Sequence, residues 1–260
     1  MNKIPEPSQT GRPASPLAAF LAAMQFLTIL PPVIRRPFTP QELGMAVGFY
    51  PLVGVLLGGF LAGSNALFRL IFPPTVCAVL VLVLWIISTG ALHIDGFLDA
   101  FDGLFGGGSP ENRLAIMRDE RLGAFAFSGG ILLVLVKFTA LSSIHQPLSA
   151  LLLAPTFSRW GMATVLAAHP YARPDGIGRD IKDNTSWRQV ILATIIAALV
   201  AMLVGSWRGL VVMAVVALVV WGGARFTLHR IPGLTGDIYG ALNEIAEAVV
   251  LLIFSLRVLG

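Results

Sequence analysis

Long apolar runs separated by short polar breaks fill the chain, and their lengths predict helices that cross a lipid bilayer. Runs at 44–72, 75–92, 125–144, 148–168, 190–205, 210–224 and 236–259 make about seven spanning helices. The run at 17–30 falls short of the roughly 20 residues a crossing needs. It is expected to form a short N-terminal interfacial or re-entrant helix. Pro31, Pro32, Pro73, Pro74 and Pro147 break the pattern between runs. The predicted fold class is all-α, a polytopic membrane helical bundle. Residues 1–16, with Pro5, Pro7, Pro13 and Pro16 among polar residues, read as a disordered tail ahead of one integral membrane domain at 17–260. Gly44, Gly48, Gly54, Gly58, Gly59 and Gly63 give small-xxx-small spacings that let helices approach closely. Such stripes can pack within one chain or between copies in a homo-oligomer.

Composition sharpens this picture. The chain is 56% hydrophobic and only 12% charged, about half the charged share of a soluble domain. The formal charge of +4 is carried by loops rather than by a patch with interleaved aromatics, so a nucleic-acid partner is not expected. The loops near 35, 113–121, 173–188 and 225–230 are basic, whereas the turns near 73, 145 and 207 hold at most one basic residue. The two sets alternate as spans require, which orients the basic loops toward the cytoplasm. Cys77 is the single cysteine, which excludes an intrachain disulfide and a CxxC or zinc cluster.

Against this apolar background, residues 93–123 gather six of the fourteen acidic residues: Asp95, Asp99, Asp102, Glu111, Asp119 and Glu120. On a helix Asp95, Asp99 and Asp102 share a face. Three carboxylates that close repel unless a cation joins them, and Mg²⁺ sharing a substrate phosphate suits such ligands. Solvated acids at a helix end are the plain alternative. A second acidic group, Asp237, Glu244 and Glu247, lies along one face of the last helix, and carboxylates inside a membrane are functional by default. Arg113, Arg118 and Arg121, with Arg173, Arg179 and Lys182 from another loop, are candidate clamps for phosphate oxygens. Arg159, inside a span, requires a partner, and one of the acids is the candidate. As a general base His93 has the right unperturbed pKa, but on a continuous helix it points away from Asp95; it joins the aspartates only if Gly90 or Gly96 breaks the helix. Metal, carboxylates and arginines together suggest phosphoryl transfer. With no Walker loop, a diphosphate-linked donor fits better than ATP.

The run TGALHIDGFLDAFDG at 89–103, followed by RLAIMRDERLGAFA at 113–126, resembles the adenosylcobinamide-GDP ribazoletransferases, or cobalamin synthases. FLTILP at 26–31, SRW at 158–160, YARPDGIG at 171–178 and TGDIYGA at 235–241 extend the likeness over almost the whole chain. The resemblance implies a multi-pass enzyme of the bacterial cytoplasmic (inner) membrane with its active site toward the cytoplasm. It implies transfer between adenosylcobinamide-GDP and α-ribazole, or its 5′-phosphate, with release of GMP and with Mg²⁺ as cofactor. On that reading Asp95, Asp99 and Asp102 hold the metal, and His93 or a free carboxylate takes the proton from a ribazole 5′-hydroxyl. Arg113, Arg118, Arg121, Arg159, Arg173 and Lys182 then serve phosphate, and Asp237 and Glu244 complete the site. CDP-alcohol phosphotransferases also space their aspartates, but Gly103 is followed here by Leu104 and Phe105 where their pattern has Ala-Arg. A cation-coupled transporter would use intramembrane acids too, usually near mid-span and in repeated halves; no internal repeat is visible.

Overall fold

Proline and a hydroxyl side chain open helix after helix. Ser15 accepts from the Ala18 amide to start α1 (Pro16–Leu27), Thr39 and Glu42 form a capping box on α2 (Pro40–Ala46), and Ser109 caps a later short helix. In each the proline sits in the first turn, where its missing N–H costs nothing. The computed structural model describes residues 15–256, so the expected tail lies, through residue 14, outside the described residues. After α2 and a 3₁₀ turn come α3 (Tyr50–Phe68), α4 (Pro74–Ser88), α5 (Leu92–Phe105), α6 (Pro110–Ile116), α7 (Ala124–Ser143), α8 (Leu148–Ala168), α9 (Ile177–Asn184), α10 (Trp187–Leu228) and α11 (Gly236–Phe254). The chain is an all-α membrane helical bundle, and its described residues contain no β-strand beyond one isolated bridge.

The span count differs from the sequence expectation. Among the described residues four helices are long and apolar enough to cross a membrane, or five if the bent pair α4–α5 is one span. Seven were expected. Three carboxylates, Asp237, Glu244 and Glu247, set α11 apart from the purely apolar runs. α4 is only 15 residues long and turns by 88° into α5. The runs at 190–205 and 210–224 are the two arms of the 42-residue α10, which breaks from helical geometry at Ser206 (φ 55°, ψ −151°), so the turn expected near Arg208 is present. The chain doubles back there, since a Cβ at Gly209 would lie 2.3 Å from the Ala201 carbonyl oxygen. Residues eight apart in a straight helix are roughly 12 Å apart. α1, at 12 residues, is shorter than the roughly 20 that a crossing needs.

α11 is the axis of the bundle, with α5, α7, α8 and α10 around it. α8 lies beside it, fully burying Leu151, Leu153, Phe157 and Arg159. Part of the glycine stripe works inside this chain: a Cβ at Gly54 would meet the Pro155 carbonyl at 2.3 Å, and one at Gly58 the Leu151 carbonyl at 2.6 Å. Gly59 and Gly63, by contrast, face open space. Arg69 donates to the Ile144 and His145 carbonyls, so the turns near 70 and 145 meet at one end.

Candidate active site

The site is built where α5 crosses α11. Gly90 (φ 60°) and Ala91 (φ 58°) take left-handed conformations that end α4 and re-aim the chain. For Ala91 this costs about 1–2 kcal/mol. α5 then passes so close to α11 that a Cβ on Gly96 would lie 3.0 Å from Asp237 Cα, and one on Gly240 would lie 3.0 Å from the His93 carbonyl. The crossing sets Asp95 and Asp99 beside the start of α11. Thr235 caps that start by accepting from the Ile238 amide, and its own hydroxyl donates to Asp237 at 3.2 Å. The loop before α9 is tied to the same place. Ala172 donates to the Leu234 carbonyl and Leu234 to the Pro170 carbonyl, each at 2.8 Å, and Tyr171 stacks on Tyr239 with centroids 6.3 Å apart. Arg173 is thereby delivered to Asp237, donating at 2.5 Å.

The open face of this crossing carries two carboxylates without counter-ions. Asp95 is exposed and Asp99 half-buried, and neither joins an ion pair among the described residues. Asp99 lies within electrostatic reach of Asp95, Asp102 and Asp237, with Arg173 as the opposing charge. Arg118, exposed and outside any ion pair among the described residues, is the next cation, within reach of Tyr171.

Several predicted site residues are engaged elsewhere. The Asp102 carboxylate accepts from Gly123 N at 2.6 Å and Ala126 N at 2.8 Å, so it caps α7 from a neighbouring helix. The three aspartates therefore do not converge on one ion, and no group of three or more His, Cys, Asp or Glu among the described residues is placed to hold a metal. Arg113 turns its guanidinium onto the Gly103 and Leu104 carbonyls at the end of α5. Lys182 donates to the Ala167 carbonyl near the end of α8, Arg121 pairs with Asp119 on the surface, and Arg179 pairs with Asp183. The chain bends before His93, not between His93 and Asp95, and the imidazole is buried, 2% exposed, while Asp95 is exposed.

Below the crossing lies a closed ion network. Lys137 donates to Glu244 at 2.6 Å and to Glu247 at 2.7 Å, and Arg159 donates to Glu247 at 2.7 Å. Asn243 adds a bond to Glu247 at 3.0 Å. Two cations meet two anions, all buried. Arg159 does find an acid, as its position demanded, but it and Glu244 lie in this interior rather than at an open phosphate site. Sequence reasoning missed Lys137. A lone lysine inside an apolar run is costly without a partner, and glutamates three apart on the last helix were the signal for it.

The profile of the cobalamin-5-phosphate synthase family matches residues 19–255. The chain belongs to that family. Curated relatives named adenosylcobinamide-GDP ribazoletransferase align with nearly their whole length. The one from Pseudomonas syringae pv. syringae is 38% identical over 91% of this chain and 98% of its own. That from Pseudomonas aeruginosa is 39% identical over 92% and 98%, and that from Acetivibrio thermocellus 34% over 92% and 98%. No solved structure matches. As a cobalamin-5-phosphate synthase family member the chain is an enzyme, a transferase. In this chain Asp95, Asp99, Asp237 and Arg173 form the open polar group, and the lysine–glutamate–arginine network lies buried below it.

Proposed function

We propose that this chain joins adenosylcobinamide-GDP to α-ribazole, or to its 5′-phosphate, and releases GMP at the cytoplasmic face of a bacterial inner membrane. The observation that carries the reading is a pair of unpaired carboxylates, Asp95 and Asp99, held beside the Arg173–Asp237 ion pair at the α5–α11 crossing. The orientation is supported by the gathering of the 113–123 and 171–188 segments at this end, while Arg69 and the 145 turn lie at the other.

Mg²⁺ suits these residues, because Mg²⁺ usually takes one or two carboxylates, keeps waters and shares substrate phosphate rather than filling an all-protein cage. Asp95 and Asp99 would hold it, and it would supply charge neutralisation and Lewis-acid polarisation of the diphosphate. The chain's own groups do the rest. The nucleophile common to both acceptors is a ring hydroxyl of the ribose, since the 5′ oxygen of one already carries phosphate; this replaces the 5′-hydroxyl expected from sequence. Its oxygen bonds to the phosphorus that carries cobinamide, the P–O–P bridge breaks, and GMP leaves with the bridging oxygen. The hydroxyl proton passes to a carboxylate of the Asp95, Asp99 and Asp237 group. Arg173, fixed by Asp237, and the exposed Arg118 offset the charge on phosphate.

The buried ion network is the one feature a cation-coupled transporter would share, but its charges are matched and the family is enzymatic. The test is an assay of membranes containing the protein with adenosylcobinamide-GDP and, in separate arms, α-ribazole or its 5′-phosphate, scoring GMP. Release that depends on both substrates and on Mg²⁺ is expected; no release with either acceptor would overturn the reading.

A further inference from the structure

A cavity of about 150 Å³ opens behind the two aspartates, between α1, α3, α5, α8, α9 and α11. Asp95 and Asp237 stand among its lining residues, and Leu27, Tyr50, Met162 and Leu166 give it apolar and aromatic walls. Two polar side chains that line it are sealed from solvent and lack partners. Both ring nitrogens of His93, 2% exposed, and the hydroxyl of Tyr239, 5% exposed, make no hydrogen bond among the described residues. Buried polar groups without partners are rare and costly. Here two of them share one hollow whose remaining walls, apart from Asp95 and Asp237, are largely apolar. Such a hollow, apolar with a few fixed donors, is the usual design of a small-ligand pocket.

We infer that this cavity receives the flat heteroaromatic base of the acceptor nucleoside, an inference that rests on the ribazole transfer proposed above. A benzimidazole-type base has two faces to bury against Tyr50, Met162 and Leu166. It keeps one ring nitrogen, the one not bound to ribose, as a hydrogen-bond acceptor. The Tyr239 hydroxyl and a neutral His93 are the donors that can meet it. With the base seated inward, the ribose is left at the Asp95 and Asp237 end, where its hydroxyl faces the reacting phosphate. The cavity is too small for the donor's corrin ring, so the two substrates approach from different sides. His93 then recognises the acceptor rather than removing the proton, consistent with its burial in the cavity wall.

The experiment measures α-ribazole binding to the purified full-length protein by calorimetry, together with KM for each substrate. Tyr239→Phe removes one hydrogen bond, and the expected outcome is a five- to tenfold weaker α-ribazole Kd and a matching rise in its KM. KM for adenosylcobinamide-GDP stays unchanged. Leu166→Trp fills the cavity and is expected to abolish α-ribazole binding while the donor still binds. If Tyr239→Phe leaves both KM values alone, or raises only that of the donor, the cavity is not the base site. If the wild-type protein binds α-ribazole but transfers nothing, the transfer reading fails and the pocket stands. An active enzyme whose α-ribazole affinity ignores Tyr239 sinks the pocket and spares the reaction.

Discussion

Asp102 is the position where sequence and structure assign different work, and replacing it separates the two. As a metal ligand, Asp102→Asn would weaken Mg²⁺ use and leave stability alone. As a clamp on α7 it should do the reverse. Its two oxygens each accept one amide proton, from Gly123 at 2.6 Å and Ala126 at 2.8 Å, at the start of a 20-residue helix. Asparagine keeps one acceptor and turns an NH₂ group toward the other amide. One charge-assisted bond is worth about 1.5–3 kcal/mol, and the lost negative charge at a helix N-terminus about 0.3–1 kcal/mol more. The net cost is about 2–4 kcal/mol, or roughly 5–15 °C in melting temperature for a chain of this size. The assay is heat challenge followed by fluorescence-detected gel filtration, beside a Mg²⁺ titration of turnover at low temperature. The expected variant is thermolabile, with an unchanged Mg²⁺ half-saturation. A protein as heat-stable as wild type that needs tenfold more Mg²⁺ would refute the clamp and restore Asp102 as a ligand.

Other positions give further checks. Lys137→Met leaves Glu244 and Glu247 buried without their shared cation and should cost about 3–5 kcal/mol, read as loss of folded protein in membranes; coupling it to Glu244→Gln should recover part of that loss. Gly240→Val pushes α11 off the His93 backbone at the crossing and should cut turnover at least a hundredfold at near-normal expression, while Gly59→Val, which meets open space, should leave activity at wild-type level. With Cys77 replaced by Ala, single cysteines at Arg121 and Arg179 should label from the same side of sealed vesicles and a cysteine at His145 from the other; any other split breaks the orientation.

The apolar runs, the proline breaks and the aspartate-rich stretch were legible because each is local. The tight α3–α8 contact was also foreshadowed by Gly54 and Gly58. What could not be read was how polar groups are shared between distant segments. Asp95, Asp99 and Asp102 satisfy the same helical arithmetic, yet only a neighbouring helix start decides that Asp102 caps it. Arg113 and Lys182 look like phosphate clamps in a list of loop cations, and become helix-end partners once the carbonyls of Leu104 and Ala167 are beside them. Lys137 reads as an oddity in its run until the last helix brings two glutamates to it. The turn near Arg208, by contrast, was legible: the sequence reading put a break there between two runs, and α10 leaves helical geometry at Ser206 and folds back on itself.

The central claim is that the unpaired carboxylates of α5, with Asp237 beside them, are where the reaction occurs. Turnover of Asp95→Asn and Asp99→Asn with adenosylcobinamide-GDP and α-ribazole tests it most directly, since neither side chain holds a structural ion pair. Each substitution should lower kcat at least a hundredfold while the heat-challenge profile stays that of the wild type. Near-wild-type kcat in both proteins would contradict the account.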